Sequence, residues 1–162
     1  MAESANHTTD ENTPITLESA NRRLSEVFAP WIQDLDLRVT SLGSGEVKLL
    51  LPYHNRLCRA GDMICGQALM SLIDTCMVYV CYVGLNQYRN CATVNQTTSF
   101  FRPAINTDVV ALGSLVKAGR SLVFGEVTLF AADDETRPLC KGSLTYAVIK
   151  QETTPRNKSQ PG

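Results

Sequence analysis

The chain has 162 residues, 44% of them apolar, and its 15 basic and 16 acidic residues leave a net charge of −1. That length suits one domain with a sizeable core, and the charge balance excludes the basic footprint of a nucleic-acid-binding domain, so any basic site must be local. Six cysteines (58, 65, 76, 81, 91 and 140) form no C-x-x-C pair, and no apolar stretch follows Met1-Ala2-Glu3-Ser4. These features predict small core thiols in a reducing, cytoplasmic compartment, with no disulfides, no metal and no secretory signal.

Residues 1–13 are polar and acidic, and residues 151–162 are polar and proline-bearing. Both are expected to be disordered tails flanking one domain at 14–150. Thr16 reads as an N-cap with Ser19 at N3, and the helix it opens carries a stripe of Leu17, Ala20, Leu24, Val27 and Phe28, limited by Pro30. Leu35 to Thr40 alternates apolar and polar residues, as does Val47-Lys48-Leu49 before Leu50-Leu51. The glycines of Ser41-Leu42-Gly43-Ser44-Gly45 supply the turn of this strand pair, and Leu57 to Asp62 reads as a loop. Four more strands are expected at roughly 91–101, 108–117, 121–132 and 139–149. Turns at 103–106, 118–120 and 133–136 separate them, giving the order α-β-β-α-β-β-β-β.

The second helix of that order is unusual. Ile64 to Val83 is 20 residues of nearly unbroken apolar character, long enough to be weighed as a membrane span. Gln67, Ser71 and Asp74 interrupt it, and a central Asp alone costs roughly 3 kcal/mol in a bilayer, so no membrane is expected. A helix apolar all round is buried on nearly all sides by protein. One helix hidden by an antiparallel sheet of five or six strands requires the sheet to curl around it. The pattern therefore predicts an α+β hotdog fold, a sheet wrapped around one long central helix, with an additional N-terminal helix. Such a sheet leaves a free edge and an apolar face that a second copy would cover.

Asp74 is then the anomaly, because a carboxylate in a buried helix needs a reason. It either caps a neighbouring polar group for structure alone, or it is a general base or nucleophile in a poorly solvated cleft, the reading preferred here. Gly66 stands at the N-terminal turn, where free backbone N–H groups and the positive dipole end make an oxyanion site. The two are eight residues apart, about 12 Å along a helix. One helix cannot bring both to the same carbonyl carbon, whereas two antiparallel copies can. The spacing predicts a site shared between protomers.

Three blocks, in order, carry a resemblance to a known family. Gly61-Asp62-Met63-Ile64-Cys65-Gly66-Gln67-Ala68-Leu69-Met70-Ser71-Leu72-Ile73-Asp74-Thr75 resembles the helix-entry motif of PaaI-like acyl-CoA thioesterases of the hotdog superfamily. Ala92-Thr93-Val94-Asn95-Gln96-Thr97-Thr98-Ser99-Phe100-Phe101-Arg102-Pro103-Ala104 is similar to that family's next strand and its Arg-Pro-Ala turn. Gly119-Arg120-Ser121-Leu122-Val123-Phe124-Gly125-Glu126-Val127 is similar to the following hairpin. The resemblance covers Leu35 to Lys150. It implies hydrolysis of an acyl-CoA thioester without a cofactor, with the Gly66 amide as oxyanion donor, Asp74 as base or nucleophile, and Thr93 helping to hold the attacking water.

The triplet here is Cys65-Gly66-Gln67, where the commoner version of the motif is His-Gly-Gly; members with Ser-Gly-Pro are the closer likeness. Carbonyl polarisation then rests on the Gly66 or Gln67 amide, with the Gln67 side chain as a helper. Asn55 lies eleven residues before Gly66, too far for the Asn that often precedes the glycine in the His-Gly-Gly type. Cys65 has a helix N-terminus but no legible histidine partner, and His54 reads as a turn residue. Tyr79, Tyr82 and Met70 read as packing or tunnel-lining residues. Arg102, Lys117 and Arg120, at the ends of adjacent strands, are candidates to meet the CoA phosphates. A homodimer, or a dimer of dimers, is expected. The competing functions are a non-catalytic acyl-CoA or ligand-binding hotdog protein and, ranked lowest, a dehydratase or hydratase, which needs an Asp–His pair.

Overall fold

The structure, a computed structural model, describes residues 13–150; the expected tails at 1–13 and 151–162 lie almost wholly outside that range. The first helix, α1 (Leu17–Glu26), opens on a capping box: Thr16 accepts from the Ser19 N–H, and the Ser19 side chain accepts from the Thr16 N–H. Pro30 was expected only to limit this helix. It instead starts a second, short one, α2 (Pro30–Gln33), because a fixed φ and a missing N–H are no penalty in a first helical turn.

Six strands form one antiparallel sheet: β1 (Arg38–Leu42), β2 (Glu46–Leu51), β5 (Cys91–Phe100), β6 (Val109–Ala118), β7 (Leu122–Ala131) and β8 (Asp134–Val148). Their order across the sheet is β1-β2-β6-β7-β8-β5. The last strand starts at Asp134, five residues before the expected 139, because the β7–β8 turn is tight. Two short strands that the sequence concealed, β3 (Cys58–Arg59) and β4 (Met63–Ile64), pair with each other in the expected loop.

That small hairpin shortens the central helix. Ile64 donates its N–H to Ala104 O and Cys65 donates to Leu57 O, so α3 runs Gly66–Leu85 and not from Ile64. It passes Val83 and ends at Asn86, whose left-handed backbone (φ 51°) and N–H to Val83 O close the last turn. α3 has the length and hydropathy of a membrane span, but the sheet covers most of it. The expectation of burial on nearly all sides is corrected on one face. Gln67 and Met70 are exposed, and Ser71, Asp74 and Val78 are half-buried, a stripe at helical spacing.

The opposite face of α3 lies in a groove made by three glycines on adjacent strands. A Cβ on Gly113 (β6) would stand 2.7 Å from Val80 Cγ2 and 2.8 Å from Cys76 Sγ. One on Gly125 (β7) would meet Met77 Sδ at 2.5 Å, and one on Gly142 (β8) Ile73 Cγ2 at 2.8 Å. These gaps let the helix backbone approach the sheet more closely than any side chain allows, and the strands curl around it. Cys76, Cys81 and Cys140 are buried as expected of small core thiols; Cys58, Cys65 and Cys91 are half-buried, and all six are unpaired.

The N-terminal helices roof the C-terminal half of α3. Tyr79 Oη donates to Ala20 O at 2.9 Å, Tyr88 Oη and Ser19 Oγ share a hydrogen bond of 2.8 Å, and the Arg23 guanidinium sits 4.3 Å from the Tyr88 ring centre and 5.4 Å from that of Tyr82. Burying a cation against aromatic faces supplies part of the solvation it loses. This anchoring fixes the corner between α1 and α2 beside the open stripe of α3.

Candidate active site

Asp74 lies on the open stripe of α3, at the base of a cleft of about 710 Å³. The walls are Phe28 and Trp31 from the α1–α2 corner, Met70, Val78 and Tyr82 from α3, and the start of β5. Asp74 Oδ1 accepts a hydrogen bond from Thr93 Oγ1 at 3.0 Å and another from Tyr146 Oη at 2.7 Å. Thr93 and Tyr146 are directly opposite each other on β5 and β8, so sheet register sets both hydroxyls against one carboxylate. Tyr146 is buried, and burial, followed by the neighbouring Asp74 charge, pushes its phenol well above the ordinary tyrosine value. It is a permanent donor.

Gly66 is elsewhere. It is the first residue of α3, whose N-cap, Cys65, makes no side-chain cap, so the leading amides of the helix stay available to an incoming acceptor. Gly66 lines a second cleft of about 410 Å³ with Arg59, Phe100, Phe101 and Arg102. A Cβ on Gly66 would meet only the Phe100 ring, at 3.5 Å, so the fold leaves this position open toward the cleft. No residue lines both clefts. Eight residues along a helix turn the side chain by about 80° besides the 12 Å of rise. Within one chain, then, the carboxylate and the free helix N-terminus face different spaces.

Thr93 is thus brought to Asp74 as expected, and Gly66 occupies the expected helix N-terminus. Gln67 lines the Asp74 cleft, not the one beside Gly66, and its carbonyl is taken by Ser71 Oγ at 2.8 Å. Of the three expected cations only Arg102 reaches a cleft wall, and its Nη1 also donates to Pro138 O at 3.0 Å. Lys117 and Arg120 are exposed beside the β6–β7 turn and line neither cleft. His54 caps the short 3₁₀ turn Asn55–Leu57, where its Nδ1 accepts from the Arg56 N–H. No Asp–His pair forms there. Tyr79 is buried packing, whereas Tyr82 and Met70 line the Asp74 cleft.

Sequence reasoning missed two residues. Tyr146 alternates inward with Leu144 on β8 and is indistinguishable from core until the β5–β8 register is known. Arg59 reads as a loop residue, and only the β3–β4 hairpin turns it toward Gly66.

Residues 61–137, which span Gly66, Asp74 and Thr93, match a family model described as the thioesterase superfamily. A structure of a thioesterase from Haemophilus influenzae superposes with a TM-score of 0.75 at 17% identity, over 86% of this chain and 94% of that one. A provisionally named thioesterase from Silicibacter sp. TM1040 superposes with a TM-score of 0.75 at 26% identity, over 84% and 93%. A provisionally named esterase of Thermoplasma acidophilum is 28% identical over 135 residues, 78% of this chain and 96% of that protein. The chain has the hotdog fold, with its six-stranded antiparallel sheet, long central helix and N-terminal helix, and its segment 61–137 is similar to the thioesterase superfamily.

Proposed function

We propose that the chain hydrolyses an acyl-CoA thioester to the free acid and CoA, in the manner of PaaI-like enzymes, at a site shared between two copies. The observation that carries this reading is the Asp74 carboxylate, held by Thr93 and Tyr146 on the open stripe of a helix whose uncapped N-terminus opens into a different cleft. A second copy packed antiparallel on α3 and on the free edge of β5 brings its Gly66 to this Asp74. That edge exposes two large apolar side chains, Val94 and Phe100, with Phe101 just beyond it.

In the shared site the thioester oxygen meets the Gly66 amide of one copy, and a water lies on the Asp74 carboxylate of the other, beside Thr93. Asp74 takes the proton as the water oxygen attacks the carbonyl carbon. The negative charge passes to the carbonyl oxygen, where the helix N-terminus stabilises it. Collapse re-forms the carbonyl, breaks the C–S bond and returns the proton to the departing CoA sulfur. The aromatic wall of the Asp74 cleft takes the acyl group. Arg59 and Arg102 flank the CoA end, and no metal or cofactor takes part.

A screen of short, medium and aromatic acyl-CoAs with a thiol-release readout tests the reading, which predicts turnover of at least one class. Tight binding with no turnover of any class contradicts it and favours a non-catalytic binding protein. The same assay sorts the cations. Arg59→Ala is expected to raise KM by about five- to tenfold with kcat little changed, the loss of one charged contact to substrate. Lys117→Ala and Arg120→Ala leave both constants as they were; a rise in their KM equal to that of Arg59→Ala would contradict the assignment.

A further inference from the structure

Both hydroxyls that reach Asp74 converge on one of its oxygens. Thr93 Oγ1 and Tyr146 Oη donate to Oδ1, and neither of them bonds Oδ2. The two donors differ in setting. Thr93 is exposed, whereas Tyr146 is 1% exposed and approaches the carboxylate from the core. Tyr146 Oη also lies 2.9 Å from the main-chain oxygen of Asp74, so a single hydroxyl spans the side chain and the backbone of one residue. An Asp on a helix face otherwise rotates among broad side-chain wells. Here it is clamped with one oxygen turned to the interior.

We propose that Tyr146 is the positioning residue of this site: it pins Oδ1 from behind, so that Oδ2 is the atom that takes the proton from water. The inference rests on the reading of Asp74 as the base. Tyr146 neither gains nor loses a proton in the step. The proton moves from water to Oδ2, the water's electron pair forms the C–O bond, and when the C–S bond breaks the same proton leaves Oδ2 for the sulfur. The reacting oxygen of the carboxylate then has a fixed direction relative to the cleft.

Tyr146→Phe keeps the ring and removes only the hydroxyl. Tyr79→Phe is the control, since it removes another buried tyrosine hydroxyl, one bonded to Ala20 O outside the cleft. Folded fraction is measured by circular dichroism, and kcat is expressed per folded chain. Tyr146→Phe is expected to lower kcat about tenfold or more, the loss of one hydrogen bond to a charged group. Its KM should stay within about twofold. Tyr79→Phe should melt at a lower temperature with the kcat and KM of the wild type. Equal kcat for the two variants would overturn the role of Tyr146. Asp74→Asn is run beside them: if it is inactive while Tyr146→Phe matches the wild type, only the Tyr146 role falls. If Asp74→Asn turns over like the wild type, the reading of Asp74 falls and this inference with it.

Discussion

On the proposed mechanism, in which Asp74 takes the proton of the attacking water, Asp74→Ala and Asp74→Asn are expected to lower kcat by about a thousandfold or more for every substrate turned over. Asn is the more telling of the two. It keeps the shape of the side chain and can still accept from Thr93 and Tyr146, yet it cannot take a proton from water. On that mechanism the carboxylate meets the attacking water and not the bound thioester, so KM should change little. Neither variant should unfold the chain. Asp74 is half-buried on the open stripe of α3, and its partners keep access to the cleft. Turnover at the wild-type level in both variants would remove Asp74 from the mechanism and return it to the structural role that a helix carboxylate with two hydroxyl donors also fits.

The second large effect is on stability. Gly113→Val is expected to destabilise the fold by about 3 kcal/mol, at the upper end for overpacking a close-packed interior. For a chain of this size that lowers Tm by about 10 °C. The added side chain has nowhere to go. Its Cβ alone would press on Val80 Cγ2 and Cys76 Sγ, with Val47 Cγ2 at 3.1 Å, and Val80 and Val47 are stiff at χ1. Gly125 offers an internal comparison. Its nearest neighbour is the flexible end of Met77, which can swing aside, so Gly125→Ala should cost less than Gly113→Ala. Equal melting temperatures for Gly113→Val and the wild type would mean that α3 is not seated in the glycine groove.

Most of the fold can be read from pattern alone, and the reasons are local. A 20-residue apolar run broken by Asp74 demands burial; alternation marks β1 and β2, and turn residues separate the four later strands; the Thr16–Ser19 box is written within one helical turn. The errors come from places where distant chain decides. Ile64 and Cys65 continue the apolar run without a break, and only their bonds to Ala104 and Leu57 take them out of the helix. Gly113, Gly125 and Gly142 each look like weak points in a strand; their purpose appears only when the strands are aligned under Ile73, Cys76, Met77 and Val80.

The candidate site divides the same way. The positions of Gly66 and Asp74 were legible because a helix terminus and a helix carboxylate carry their chemistry in one element, and Thr93 as a candidate came from the family resemblance. Tyr146 and Arg59 were not, since each acquires its place from a strand pairing. Arg102 could not be told from Lys117 and Arg120, because all three are strand-end cations in the sequence and only the turn of the chain after β5 brings one of them to a cleft.

Subunit complementation tests the two-chain site most directly. Gly66→Val blocks the oxyanion end of one chain and Asp74→Asn disables the base of the other, and the two are mixed under conditions that let subunits exchange. Each alone should be inactive. Each heterodimer then holds one site with both residues intact, so random pairing predicts recovery of about a quarter of wild-type activity. Exchange confirmed by mass, with no activity recovered, would show that Gly66 and Asp74 do not act across an interface.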